Sequence, residues 1–118
     1  DNPKHIAFVQ QQGARCQYVT SVCTGALVLH KAGFLNGRRA TTHWSALDTL
    51  RGLGGGTTVV DDERWVHDGN VISAAGVSAG IDMALYLISL LRGPQTAKNV
   101  QHMMEYYPRP PVFDEVPA

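Results

Sequence analysis

The sequence lacks the features that mark proteins binding nucleic acid or crossing membranes. Ten basic and ten acidic side chains cancel over 118 residues, and no basic stripe is present, so we do not expect this segment to bind nucleic acid. The longest apolar run, residues 81–91, contains Asp82 and is too short to span a membrane. The first residues show no signal-peptide pattern. A composition of 44% hydrophobic and 17% charged residues is typical of a globular protein with a core.

Cysteine is scarce, with Cys16 and Cys23 the two examples in the chain. They lie seven residues apart near opposite ends of one predicted extended segment. An odd spacing along a strand points them to opposite faces, roughly 20 Å apart, so they cannot form a disulfide with each other. We expect a reducing, cytoplasmic environment.

The histidine and glycine patterns argue against a metal or a nucleotide cofactor. The set of His5, His30, His67 and His102 has no metal-ligand spacing. The glycine-rich stretches lack the phosphate-loop pattern and its lysine. We therefore expect no cofactor and no metal.

Strand and helix patterns alternate along the chain. Asp1 or Asn2 can cap a first helix with Pro3 at its first position. The further predicted helices cover residues 24–32, 43–51 (capped by Thr42), 78–91 (capped by Ser78) and 95–106, and the last is followed by an extended tail at 108–111. The predicted strands cover residues 18–22, 39–42, 57–60, 65–66 and 71–74, with a hairpin turn at Asp68-Gly69. This alternation predicts an α/β sandwich with a mostly parallel sheet. Because a helix opens the chain with no strand before it, the first strands of the sheet are expected to lie elsewhere.

Cys23 is the strongest candidate for chemistry. It follows a short apolar strand and precedes a buried helix that begins near the small residues Thr24 and Gly25. This is the layout of a nucleophile elbow with cysteine in place of serine and Ser21 where glycine is usual. The N–H groups and the dipole at a helix start favour a thiolate. The alternative is a small cysteine buried in the core, which is common for free thiols.

Five strings of the sequence resemble the DJ-1/PfpI superfamily, and in particular its isonitrile hydratase-like branch. They are TSVCTGALVL at 20–29, AGFL at 32–35, RATTHW at 39–44, DGNVISAAGVSAGID at 68–82 and YPRPP at 107–111. The resemblance implies a flavodoxin-like three-layer sandwich of which residues 1–118 form the C-terminal portion of a single domain. Ligand-sensing domains of AraC-type transcription regulators carry similar strings.

The chain also departs from the family pattern. Protease-like members place a histidine directly after the nucleophile, where this chain has Thr24. An acidic residue close to the thiol and a glycine-rich oxyanion loop precede the matched region in the family and are not in this sequence. The resemblance therefore implies that the upstream half of the domain, in cis or as a second chain, completes the site. We expect this segment alone to be inactive.

The resemblance implies a cofactor-free, hydro-lyase-like enzyme that hydrates a small electrophile, with an isonitrile giving an N-substituted formamide. In this reading Cys23 is the nucleophile, and Thr24 supplies a backbone N–H and a hydroxyl. The alternative for Thr24 is a helix-start residue whose hydroxyl satisfies local N–H groups.

His43, Trp44 and Ser78 are assigned to the substrate pocket, each with a structural alternative. His43 follows a strand at the sheet edge where ligands gather, or it is a first-turn histidine bonded to backbone. Trp44 is a pocket wall or a core anchor. Ser78, with Asp82 in the next turn, is a pocket residue or a helix cap.

Two other functional classes stay open at this level. The first is a non-catalytic domain that senses a small molecule in a transcription regulator, and the second is a DJ-1-like redox or stress protein whose thiol is oxidised. A glyoxalase- or deglycase-like activity is also compatible with the superfamily. The expected partners are a small-molecule substrate and a second copy in a homodimer, with no membrane.

Overall fold

A computed structural model describes residues 2–109. Its helices are α1 (Pro3–Gly13), α2 (Gly25–Lys31), α3 (Leu47–Gly52), α4 (Val77–Arg92) and α5 (Pro94–Met104), with a short 3-10 helix at Trp44–Ala46. Its strands are β1 (Val19–Val22), β2 (Arg39–Ala40), β3 (Thr58–Val59), β4 (Trp65–Asp68) and β5 (Val71–Ala74). The α/β architecture predicted from the sequence is confirmed. None of the described helices is long and apolar enough to cross a membrane.

The strands form two small sheets. In the first, the order is β1-β5-β4, where β1 runs parallel to β5 and β4 runs antiparallel to it. In the second, β2 and β3 are parallel. The central strand β5 has all four residues buried, which include three apolar residues and the polar Ser73. Within the described residues, β1 is an edge strand of its sheet.

The local signals for helix starts and stops were mostly correct. The side chain of Asn2 accepts from the Lys4 N–H at 2.9 Å and caps α1, with Pro3 in the first turn. Gly33 follows α2 in a left-handed conformation with φ +90°, as expected for a glycine stop. The hairpin between β4 and β5 is present, with Gly69 and Asn70 as its two turn residues.

Other local predictions were wrong. Thr42 does not cap a helix, because the 3-10 helix is capped by His43 and α3 begins only at Leu47. Ser78 does not cap α4 either, because the helix already begins at Val77. The predicted extended tail at 108–111 extends beyond the described residues.

The core of the first part of the chain lies between β1, β5 and the helices packed on them. Seven buried residues form it: Val19, Ala26, Leu29, Leu35, Ala40, Leu50 and Val71. The chain divides into two compact units, Asp1–Ala84 and Leu85–Ala118, so all of these residues belong to the first unit. The candidate site residues belong to that unit as well.

Candidate active site at the end of strand β1

The bend between β1 and α2 holds Cys23 in an unusual backbone conformation. Cys23 has φ +58°, in the left-handed region that residues other than glycine rarely adopt. Its N–H donates to the Ala74 carbonyl at 3.1 Å, so the pairing of β1 with β5 continues to this residue before the chain turns. The sharp turn predicted for a nucleophile elbow is therefore present.

Cys23 is not among the fully buried residues of the core. The residue is partly exposed and its thiol is free. The next residue, Thr24, is exposed and stands at the N-cap position of α2. Thr24 is therefore the helix-start residue of the alternative reading, but its side chain makes no capping hydrogen bond, so the expected bond from its hydroxyl to local N–H groups is wrong. The first N–H groups of a helix lack intrahelical acceptors, and those of α2 begin beside the thiol.

The loop after β2 reaches the elbow through a buried side chain. Thr42 is 1% exposed, and its hydroxyl donates to the carbonyl oxygen of Cys23 at 2.8 Å. The preceding residue, Thr41, donates its backbone N–H to the Ser73 hydroxyl in β5 at 2.9 Å. Two hydrogen bonds, one buried and one partly buried, thus join this loop to the carboxyl ends of β5 and β1. The sequence did not reveal either bond, because the partners are far apart in the chain.

His43 lies next to this junction but has local partners. Its Nδ1 accepts from the Ser45 N–H at 3.2 Å and lies 2.7 Å from the Ser45 hydroxyl. The alternative reading, a first-turn histidine bonded to backbone, therefore describes its Nδ1. A neutral ring that accepts at Nδ1 carries its proton on Nε2. The ring also lies beside Gly76, where an added Cβ would be 3.9 Å from the His43 Cδ2.

Trp44 and Ser78 occupy the surface. Trp44 is 77% exposed, with its indole 5.6 Å from the His43 ring centroid, so the alternative of a core anchor is wrong. Ser78 is exposed, and its hydroxyl accepts from Arg64 at 3.2 Å. Arg64 also pairs with the Asp82 carboxylate at 2.7 Å. Arg64 was not singled out from the sequence, because only the fold brings it next to α4.

A groove of about 500 Å³ lies beside the elbow rather than on it. It runs along β1 between α1 and α2, and the predicted site residues do not line it. Ser21, which does line it, is 6% exposed, and its hydroxyl has no hydrogen-bond partner among residues 2–109. The groove is otherwise bordered mainly by apolar side chains, including Phe8, Val22 and Val28.

The chain is similar to known proteins in both sequence and fold. The sequence pattern of the DJ-1/PfpI family matches residues 1–90. The chain belongs to the DJ-1/PfpI family. Its fold is the flavodoxin-like fold of that family, since it superimposes on a ThiJ/PfpI family protein from Pseudomonas syringae with a TM-score of 0.86 and 43% identity. That superposition covers 96% of this chain and 45% of the other.

The chain is similar to two curated proteins of different kinds, an enzyme and a transcription regulator. The chain is 47% identical to isonitrile hydratase from Pseudomonas putida over 114 residues, which is 97% of this chain and 48% of the relative. It is 44% identical to the HTH-type transcriptional regulator CdhR from Pseudomonas aeruginosa over 77 residues, which is 65% of this chain and 23% of the relative. The chain therefore spans about half the length of the hydratase and less of the regulator.

Proposed function

We propose that the protein carrying this chain hydrates a small electrophile, an isonitrile, to an N-substituted formamide, with Cys23 as the nucleophile. The observation that carries the proposal is a partly exposed residue with a free thiol, Cys23, at a left-handed bend directly before a helix. The 47% identity to isonitrile hydratase supports the choice of substrate class. No cofactor takes part in the reaction.

The reaction has two steps. The Cys23 thiolate adds to the terminal carbon of the isonitrile, and that carbon takes up a proton, which gives a thioimidate. Water then adds to the same carbon and the carbon–sulfur bond breaks, which releases the formamide and regenerates the thiol. The net reaction consumes one water and needs no oxidant or reductant.

The residues around Cys23 have complementary roles in this proposal. The backbone N–H of Thr24 donates to the oxygen that water delivers, which becomes negative as it loses its proton and the carbon–sulfur bond breaks. The exposed Thr24 hydroxyl orients the substrate. His43 helps to hold the thiolate charge, while Trp44 and Ser78 border the entrance to the substrate pocket. The proton for the first step comes from a carboxyl group of the upstream half of the domain.

The upstream half of the domain is the partner that we assign to the groove along β1. Three observations support this: β1 is an edge strand in the described residues, the buried hydroxyl of the groove-lining Ser21 has no hydrogen-bond partner among residues 2–109, and the chain spans about half of the hydratase. An added strand would pair with the β1 backbone and bring polar groups to Ser21. A homodimer of the complete protein is also part of the proposal.

The test is turnover of an alkyl isonitrile by the full-length protein, measured as formamide released. We expect Cys23→Ser to lower kcat by roughly a thousandfold or more, because a hydroxyl is a much weaker nucleophile at neutral pH. Cys16→Ser is the matched control, since Cys16 is exposed and its thiol donates to the Gln12 carbonyl at 3.1 Å, away from the elbow. Full activity of Cys23→Ser would remove this thiol from the mechanism.

The similarity to CdhR supports a second candidate, a sensory domain that binds a small molecule without converting it. Calorimetry on the full-length protein separates the two. Saturable binding with no formamide, in a protein that also carries a helix-turn-helix domain, would decide for the regulator. Isonitrile turnover that depends on Cys23 would decide for the enzyme.

A further inference from the structure

The side chain of Thr42 forms a hydrogen bond with the backbone of Cys23, the proposed nucleophile. Its side chain is 1% exposed, and its hydroxyl donates to the Cys23 carbonyl oxygen at 2.8 Å, a bond between residues 19 positions apart. A buried hydroxyl that loses its partner is costly, so this bond is a strong constraint on both groups. Thr42 therefore holds one particular carbonyl of the elbow.

The Cys23 carbonyl and the Thr24 N–H belong to the same planar peptide unit. No cis peptide bond occurs in the described residues, so the carbonyl and the N–H of this unit point in opposite directions. Fixing the direction of the oxygen fixes the direction of the Thr24 N–H. A hydrogen bond accepted by the carbonyl also polarises the amide and makes its N–H a better donor.

The peptide on the other side of Cys23 is held by the sheet. The Cys23 N–H donates to the Ala74 carbonyl at 3.1 Å. The left-handed φ of +58° therefore lies between two peptide units that are each tied to a different element. Such a conformation persists only when neighbouring groups hold it in place. Thr42 holds the peptide unit that follows Cys23, and Ala74 holds the one that precedes it.

We propose that Thr42 is a positioning residue, which aims the Thr24 backbone N–H at the oxygen that becomes negative during the reaction. This rests on the proposed function only in that Cys23 is the nucleophile and the Thr24 N–H the oxyanion donor. It does not depend on the identity of the substrate. Thr42 itself does not touch the reacting atoms.

Two reagents that modify the Cys23 thiol distinguish a change in the direction of the Thr24 N–H from a general loss of folding. With p-nitrophenyl acetate, the thiolate attacks the carbonyl carbon, a negative oxygen develops, and p-nitrophenolate leaves to give acetylated cysteine. With iodoacetamide, the thiolate displaces iodide and no negative oxygen develops. The ratio of the two rates at Cys23 therefore reports the oxyanion donor and not the thiol itself.

The experiment uses the full-length protein with Cys16→Ser, so that the exposed second thiol does not react, and mass spectrometry to confirm modification of Cys23. We expect Thr42→Val to lower the acylation rate about tenfold while the alkylation rate stays within about twofold. Thr42→Ser, which keeps the donor, should restore the ratio. In turnover of the substrate, we expect Thr42→Val to lower kcat and to change KM little.

Ser73→Ala is the matched control. It removes the buried hydrogen bond from the Thr41 N–H at 2.9 Å and leaves the partly buried bond to the Cys23 carbonyl in place. We expect a lower melting temperature and an unchanged ratio of acylation to alkylation. A merely structural role for Thr42 would instead make the two variants behave alike.

An unchanged ratio in Thr42→Val, or an equal fall of the ratio in Ser73→Ala, would overturn the proposal. If Thr42→Val does not fold, Thr42→Ala is compared by the same ratio, with the same two outcomes. A protein that shows the expected ratios but does not hydrate isonitriles would keep Thr42 in its role and refute the proposed substrate.

Discussion

Cys23 has a backbone conformation that its own side chain disfavours. A residue with a Cβ at φ +58° loses about 1–2 kcal/mol relative to the right-handed region, because the Cβ approaches a neighbouring carbonyl oxygen. Glycine would avoid this cost but would remove the thiol. The strain at this one position is therefore consistent with a residue retained for its chemistry.

Because of this strain, we expect glycine to be more stable than alanine at position 23, which is the reverse of the usual order of these two residues. At Cys23, we expect the glycine variant to be more stable than the alanine variant by about 0.5–1 kcal/mol, because glycine adopts a positive φ without strain. Urea denaturation of the full-length variants measures the difference.

Cys16 provides the control for that order. It is not among the described residues with a positive φ, so Cys16→Ala should be more stable than Cys16→Gly. The same order at both positions would show that the conformation of Cys23 is not the source of the difference.

Local sequence was sufficient to locate Cys23 and Thr24 at a turn, since the change from strand to helix is read from neighbouring residues. It was insufficient for Thr42, which looked like a helix cap and instead bonds to a carbonyl 19 residues away. The true cap is His43, whose ring accepts from the Ser45 N–H. A hydroxyl has the same local signature in both roles, and only its tertiary partner distinguishes them.

At the scale of elements, helix α4 approaches strand β1 closely at one glycine. A Cβ added at Gly80 would lie 2.8 Å from one Val22 methyl carbon and 3.1 Å from the other. Val22 is β-branched and directly precedes Cys23, so it has little freedom to move aside. The small residue at position 80 lets the helix pack against the strand that carries the elbow.

We therefore expect Gly80→Ala to lower the free energy of unfolding by about 1–3 kcal/mol, because the added methyl overpacks the contact with Val22. Chemical denaturation followed by circular dichroism measures it. Gly52→Ala is the matched control in a second helix, where a Cβ would meet nothing within 4 Å. There we expect no loss of stability, and an equal loss at both positions would contradict the packing argument.

The elements themselves were largely predictable, and their ends were not. Strand β5 was placed correctly at residues 71–74, whereas β2 proved two residues long rather than four. The predicted helix at 43–51 is instead a 3-10 turn followed by α3. The predicted and observed ends differ where a backbone N–H or carbonyl can bond either to a nearby residue or to one far along the chain. Local propensity does not distinguish these two kinds of partner.

At the scale of the molecule, the edge of β1 and the groove beside it stay uncovered by the described residues. An edge strand presents unpaired backbone groups, and this one is bordered by exposed apolar side chains such as Phe8, at 63%, and Val28, at 40%. The chain also spans about half of the hydratase that it resembles. These facts motivate the assignment of the upstream half to this surface.

We expect residues 1–118 expressed alone to aggregate, to bind a hydrophobic dye strongly and to show no turnover. Co-expression with the upstream half should give a stable complex that elutes as one species in size-exclusion chromatography. Thr20→Lys on the exposed face of β1 serves as a control, since an edge lysine discourages strand pairing and should lower aggregation of the isolated segment. A stable and active monomer of residues 1–118 would contradict this prediction.

The sequence by itself determined the α/β class, the family and the position of the cysteine at a turn, because each depends on residues adjacent in the chain. The tertiary structure decided which hydroxyl holds the Cys23 carbonyl, which residue caps the following turn and where Trp44 and Ser78 lie. The reason is physical: a hydrogen bond or a packed methyl group depends on atoms brought together by folding, and their separation along the chain leaves no local trace.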